Sequence, residues 1–142
     1  MAISSAIATS FKTQVLTGTH NFTASSGNTF KLALYTSSAT LGASTTVYVT
    51  TGQSSGTNYT AGGANLKTIT PVASSTTAVV DFSDLTFSTA TVTARGCLIY
   101  NSSQSNKAVC AIDFGSDKTS TAGDFTVVFP AAPATGAIIR LA

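Results

Sequence analysis

The strongest pattern in the chain is a pair of apolar arms around a polar turn. One arm is Thr91–Tyr100 and the other Lys107–Phe114. Between them lies Asn101–Asn106, a run of turn formers whose side chains compete for backbone hydrogen bonds. The pattern predicts a β-hairpin at the centre of an all-β domain. With the polar run as the loop, Tyr100 faces Lys107, Ile99 faces Ala108, Leu98 faces Val109 and Cys97 faces Cys110. The apolar run Cys97–Tyr100 is nearly continuous, which marks this arm as buried on both faces or central in its sheet.

Elsewhere the apolar period distinguishes one helix from many strands. Ile3, Ile7, Phe11 and Val15 recur at every fourth residue, and Gly18 stands where a C-cap would be, so a helix is expected over 3–16. A helix this short must pack against something. It either lies over the chain's own sheet or forms an N-terminal arm (1–17) that docks on a neighbouring subunit with Phe11 as anchor. From His20 onwards the period is two. Asn21–Asn28 reads as a turn, and Thr29–Tyr35 sets Phe30, Leu32 and Leu34 against Lys31, Ala33 and Tyr35, a half-buried strand.

Thr36–Ala64 carries little pattern beyond a strand at Thr45–Val49, and a loop of that length usually serves a purpose, such as lying against a partner. Tyr48 and Tyr59 are aromatic tips in this polar run, a residue type favoured at interfaces. Together with Ile3, Ile7 and Phe11 they are the candidate protein-interface residues; ordinary surface tyrosines are the alternative. Further strands are expected at Asn65–Thr70, Thr76–Phe82, Leu85–Ser88, Asp124–Phe129 and Gly136–Leu141, with a loop at Gly115–Gly123 and Pro71, Pro130 and Pro133 at strand ends. Eight or nine short strands and one short helix argue for a single-domain β-sandwich over 1–142, of the jelly-roll kind.

Composition narrows the setting. Charged residues make up 8% of the 142, against about 25% in an ordinary soluble domain. Glu is absent, and the acids are Asp81, Asp84, Asp113, Asp117 and Asp124. Disorder is not expected, because apolar residues reach 43% and mean hydropathy is +0.30. A neutral, hydroxyl-rich exterior has little charge to keep copies apart and suits life inside an assembly. The net charge of +2 comes from cations scattered singly, which leaves no footprint for nucleic acid. Cys97 and Cys110 are too few for a disulfide framework and are expected as packed thiols, though their expected cross-strand position makes a bridge conceivable. No apolar run approaches a membrane span, and Met1–Ile7 lacks the features of a signal peptide. The chain is expected to be made and kept in a reducing cytoplasm.

Candidate chemistry is sparse. His20, between Thr19 and Asn21, reads as a surface or capping residue with no orienting carboxylate. One His and two Cys fall short of a zinc site, and the glycines of 42–63 open no phosphate-binding helix. Asp113 and Asp117 read as turn carboxylates rather than calcium ligands. Arg95 is either an outward residue at a sheet edge or the ion-pair partner of an Asp such as Asp113. No cofactor, metal or small-molecule substrate is expected, and the chain reads as a non-enzyme.

Several phrases carry a resemblance. Ser10–Lys12, Gly18–Phe22, Thr29–Thr40, Asn58–Gly63, Ala94–Asn101, Asn106–Val109 and Asp113–Lys118 resemble a family of small virion proteins of tailed bacteriophages, nearly end to end. The resemblance implies a virion component. By extension it implies a capsid cement or decoration protein, bound as a dimer or trimer to the major capsid protein on the shell's exterior. The alternatives are a tail or fibre-associated protein binding another virion protein or host glycan, and a secreted carbohydrate-binding sandwich. Lack of Trp counts against the last.

Overall fold

The computed structural model describes residues 2–130 and 136–142. In chain order its elements are β1 (Ala6–Ile7), α1 (Thr9–Leu16), β2 (Phe30–Tyr35), β3 (Gly56–Thr57), β4 (Ala64–Asn65), β5 (Thr68–Ser74), β6 (Thr77–Phe82), β7 (Leu85–Asn101), β8 (Lys107–Val127) and β9 (Ile139–Leu141). They form two antiparallel sheets. The larger runs β1-β8-β7-β2-β4 with β3 added on β7, and the smaller runs β5-β6-β9. Pro133 lies outside the described residues.

The expected hairpin is present, but its register differs from the side-chain pattern. Asn101 itself joins the ladder opposite Lys107, so Tyr100 faces Ala108. Its Oδ1 accepts the Ser103 N–H at 3.1 Å, and Ser105 and Asn106 take left-handed φ of 53° and 58° to close the turn. Val109 then bulges, and Ile99 faces Cys110, Leu98 faces Ala111 and Cys97 faces Ile112. The two cysteines are therefore not cross-strand partners. Beyond Val109 the slip totals two residues, which restores the expected facing of Cys97, Leu98 and Ile99, so the apolar pattern survived a wrong register there.

The expected loop at Gly115–Gly123 shrinks to a bulge. The ladder breaks between Asp113, opposite Gly96, and Lys118, opposite Ala94, and then resumes to Val127 with further irregularities between Val92 and Phe87. Gly115 has φ +84°, and its N–H donates to Asp113 Oδ1 at 2.9 Å. Four short expected strands thus merge into two long bent ones, with bulges supplying the bends.

The helix is shorter than its period suggested. Ile3 forms a parallel bridge with Leu41, Ala6 and Ile7 pair with Ala111 and Cys110, and only Thr9–Leu16 is helical. A spacing of four puts residues on one side of a helix and also on one side of a strand, so the period could not separate the two. β2 also departs from expectation. Ala33 and Tyr35 are as fully buried as Phe30, Leu32 and Leu34, leaving only Lys31 in partial contact with water. Pro71 falls inside β5, not at its end, at the irregularity between Ile69 and Val72 where no ladder N–H is missed.

The sheets and helix meet on an aromatic core. Phe22 stacks on Phe30 at 4.2 Å, Phe11 meets Phe22 edge-on at 5.9 Å, and Phe82 of β6 lies 6.0 Å from Phe30 and 5.6 Å from Phe129. Burying one such ring contributes roughly 1.5–3 kcal/mol.

Candidate functional surface

The long region 36–64 is fastened to the sheet by hydroxyls and short bridges. β4 covers only the first part of the β2 edge, at Lys31 and Leu32. Beyond it the Tyr59 hydroxyl accepts the Leu34 N–H at 2.8 Å, and the Ser54 N–H donates to Leu34 O at 2.9 Å. A side chain and a loop amide stand in for the missing strand. Tyr35 donates its hydroxyl to Val49 O, Tyr100 donates to Gly62 O at 2.7 Å, and Tyr48 donates to Gln53 Oε1 at 2.9 Å. Gln53 Oε1 also accepts the Gly62 N–H. Burial pushes the Tyr59 and Tyr100 hydroxyls up to about 12 and Tyr35 higher still, since each phenolate would be poorly solvated.

Of the five candidate interface residues, three are spent inside the chain. Ile3 is 6% exposed and packs on Gly96, where a Cβ would come within 2.9 Å of its Cδ1. Phe11 is 3% exposed in the aromatic core, and Tyr59 is 7% exposed, edge-on to Phe87 at 5.2 Å. Ile7 and Tyr48 are half-buried, Tyr48 stacked on Tyr100 at 4.8 Å. The structure does not bring the five to one outer face; they secure the N-terminal segment and the long loop. The segment expected as strand Thr45–Val49 makes a single bridge, Val47 to Lys107.

His20 corrects another expectation, for it is buried and not at the surface. Its Nε2 is 2.8 Å from Gln14 Oε1, its Nδ1 is 3.0 Å from Asn101 Nδ2, and its ring lies 4.7 Å from that of Phe11. Burial, and secondarily Lys107, hold its pKa below the ordinary 6.5. A polar neighbourhood in sequence gave no sign that Gln14 and Asn101 converge on it, with Asn28 holding Asn101 in turn. Arg95 takes the second of its two readings, with Nε 2.8 Å from Asp113 Oδ1. Cys97 and Cys110 are free and fully buried, and burial drives Cys110 up to about 12 and Cys97 well above its usual value.

Apolar side chains do remain outside, among them Leu141, which the alternation placed on one face with the buried Ile139, and Leu16, beside the apolar row of the helix. Leu16 is 85% exposed, and Val128, Val72 and Leu141 are each more than half exposed. A small apolar groove of about 150 Å3 lies between α1 and the smaller sheet, lined by Phe11, Val15, Phe22, Pro71, Val80 and Leu141 among others. A wider groove of about 610 Å3 runs beside β8, with Ile112, Phe114, Phe125 and Phe129 in its lining. Among the described residues no group of three or more His, Cys, Asp or Glu is placed to hold a metal ion. No helix there is long and apolar enough to cross a membrane. No protein-family model, curated protein or solved structure matches this chain.

Proposed function

We propose that the chain is a non-enzymatic structural protein of a tailed-bacteriophage virion, acting as a cement or decoration protein on the outside of the capsid shell. The sequence resemblance supplies the setting. The observation that carries the role is the combination of a fastened block with apolar side chains left on a nearly uncharged exterior. Region 36–64 is tied down at several points, while Leu141 lines the groove between α1 and β5-β6-β9, and Leu16 and Val72, each next in sequence to a lining residue (Val15 and Pro71), stay outside. Such a block docks with little ordering cost. A protein that binds the assembled shell and not its separated subunits stabilises the shell by mass action, and many copies act together. The jelly-roll connection of the two sheets belongs to this proposal, as do the major capsid protein and copies of the chain itself as partners.

The contact surface we assign is this α1-side exterior, in place of the buried Ile3, Phe11 and Tyr59. Adding purified protein to bare expanded heads tests it. Wild-type chain is expected to saturate the heads, and Leu16→Asp combined with Val72→Asp to reduce occupancy at least tenfold with an unchanged unfolding midpoint. Undiminished occupancy by a folded double variant overturns the assignment. Failure of the wild type to bind overturns the cement role and leaves the tail-associated reading.

A further inference from the structure

We propose that His20 is an acid-sensitive latch that holds α1 on the body of the protein and releases it when the ring is protonated. This goes beyond the virion role and does not depend on it. The geometry fixes which ring nitrogen can carry a proton. The Asn101 amide is fully buried, and its nitrogen has both hydrogens committed, one to His20 Nδ1 at 3.0 Å and one to Asn28 Oδ1 at 2.9 Å. Its oxygen accepts the Ser103 N–H at 3.1 Å. Nδ1 is therefore an acceptor, and the neutral ring carries its hydrogen on Nε2, where it donates to Gln14 Oε1 at 2.8 Å.

A second proton has to enter at Nδ1, where it meets the Asn101 N–H head-on. Turning the Asn101 amide over would offer an oxygen to the imidazolium. It would also set that oxygen against Asn28 Oδ1 and the amide nitrogen against the Ser103 N–H, so both other bonds are lost. Asn28 cannot easily compensate, because its Oδ1 also accepts the Asn21 N–H at 2.9 Å. Nor is a counter-charge at hand. The ring touches α1 at Phe11 and Gln14, Phe22 of the 17–29 segment, Phe30 of β2 and Asn101 at the end of β7, and none of these elements carries a carboxylate. Their cations are Lys12 on exposed α1 surface, Lys31 beside Phe30 and, further along β7, Arg95 paired with Asp113; Lys107 at the start of β8 opposes protonation, and the β8 acids Asp113, Asp117 and Asp124 lie further along that strand.

The element that gives way is α1. It has eight residues and no side-chain cap at its N-terminus, so it does not persist unsupported. Gln14 and Phe11 are two of its anchors, and both rest on the His20 ring. With the ring charged, α1 lifts and uncovers Phe22, while the β2–β7–β8 ladders, which contain no such group, stay closed.

Two measurements on the wild-type chain test this. Nitrogen NMR of the imidazole is expected to show hydrogen on Nε2 and none on Nδ1 at neutral pH. Amide exchange, corrected for its intrinsic pH dependence, is expected to speed up in Thr9–Leu16 by up to about tenfold per pH unit below about 6.5, with β2 and β7 unchanged. The His20→Phe variant keeps an aromatic ring there and is expected to lose this pH dependence. A neutral ring protonated on Nδ1, or α1 exchange that stays flat while His20 titrates, overturns the latch. So does a folded His20→Phe protein that still opens in acid. If that variant does not fold, the two wild-type measurements decide alone.

Discussion

At the residue scale, much of the fold depends on backbone approaches that only a few positions permit. Gly63 has φ +79°, and a Cβ there would collide with the Leu32 carbonyl at the point where β4 meets β2. Gly63→Ala is expected to cost about 2 kcal/mol or more, read as a drop in the urea midpoint, whereas Leu16→Ala should stay within about 0.5 kcal/mol. Phe30→Ala, at the middle of the aromatic core, should cost about 3–5 kcal/mol. The titrating residues set the pH limits of stability. Because the folded state holds His20 below 6.5, the unfolded chain takes up that proton first. Stability is then complete above about 6.5 and falls as pH drops from there through the folded value. At the alkaline end Tyr59 and Tyr100 are raised from 10 to about 12, so stability is complete below about 10 and falls as pH rises through 12. Urea midpoints across pH measure both limbs. Cys97 and Cys110 should ignore a thiol reagent at mildly alkaline pH until the chain unfolds.

At the scale of elements, what the sequence made legible follows from what side chains record. The hairpin was readable because Cys97–Tyr100 and Lys107–Phe114 are apolar and Asn101–Asn106 is not. The single extra residue at Val109 and the four residues 114–117 set against Arg95 were unreadable, because a bulge is a matter of backbone hydrogen bonding that side-chain polarity does not record. Region 36–64 looked structureless because its attachments run through Tyr hydroxyls and the Gln53 amide, which have no periodic signature. His20 was missed for the same reason: its partners Gln14 and Asn101 are 6 and 81 residues away. Since Ile3, Ala8 and Phe11 are core residues, deleting the segment through Leu16 is expected to lower the unfolding free energy by several kcal/mol, read as a fall in the urea midpoint. A truncation of that kind reports on folding before it reports on docking.

At the scale of the molecule, the chain is two antiparallel sheets closed on an aromatic core, with little charge and its longest loop sewn down. On the proposed role such a part is added to a larger surface and held there by shape, with the exposed Leu16, Val72 and Leu141 rather than any titratable group making the contact. Few surface charges also mean weak salt dependence, so occupancy on heads should change little between low and physiological ionic strength. The most direct test of the proposed role is quantitative mass spectrometry of purified particles against the major capsid protein. A copy number of the same order as the shell protein, lost when heads are stripped of outer proteins, is the result expected. Absence from the particle, or only the few copies of a tail or a single vertex, would contradict it.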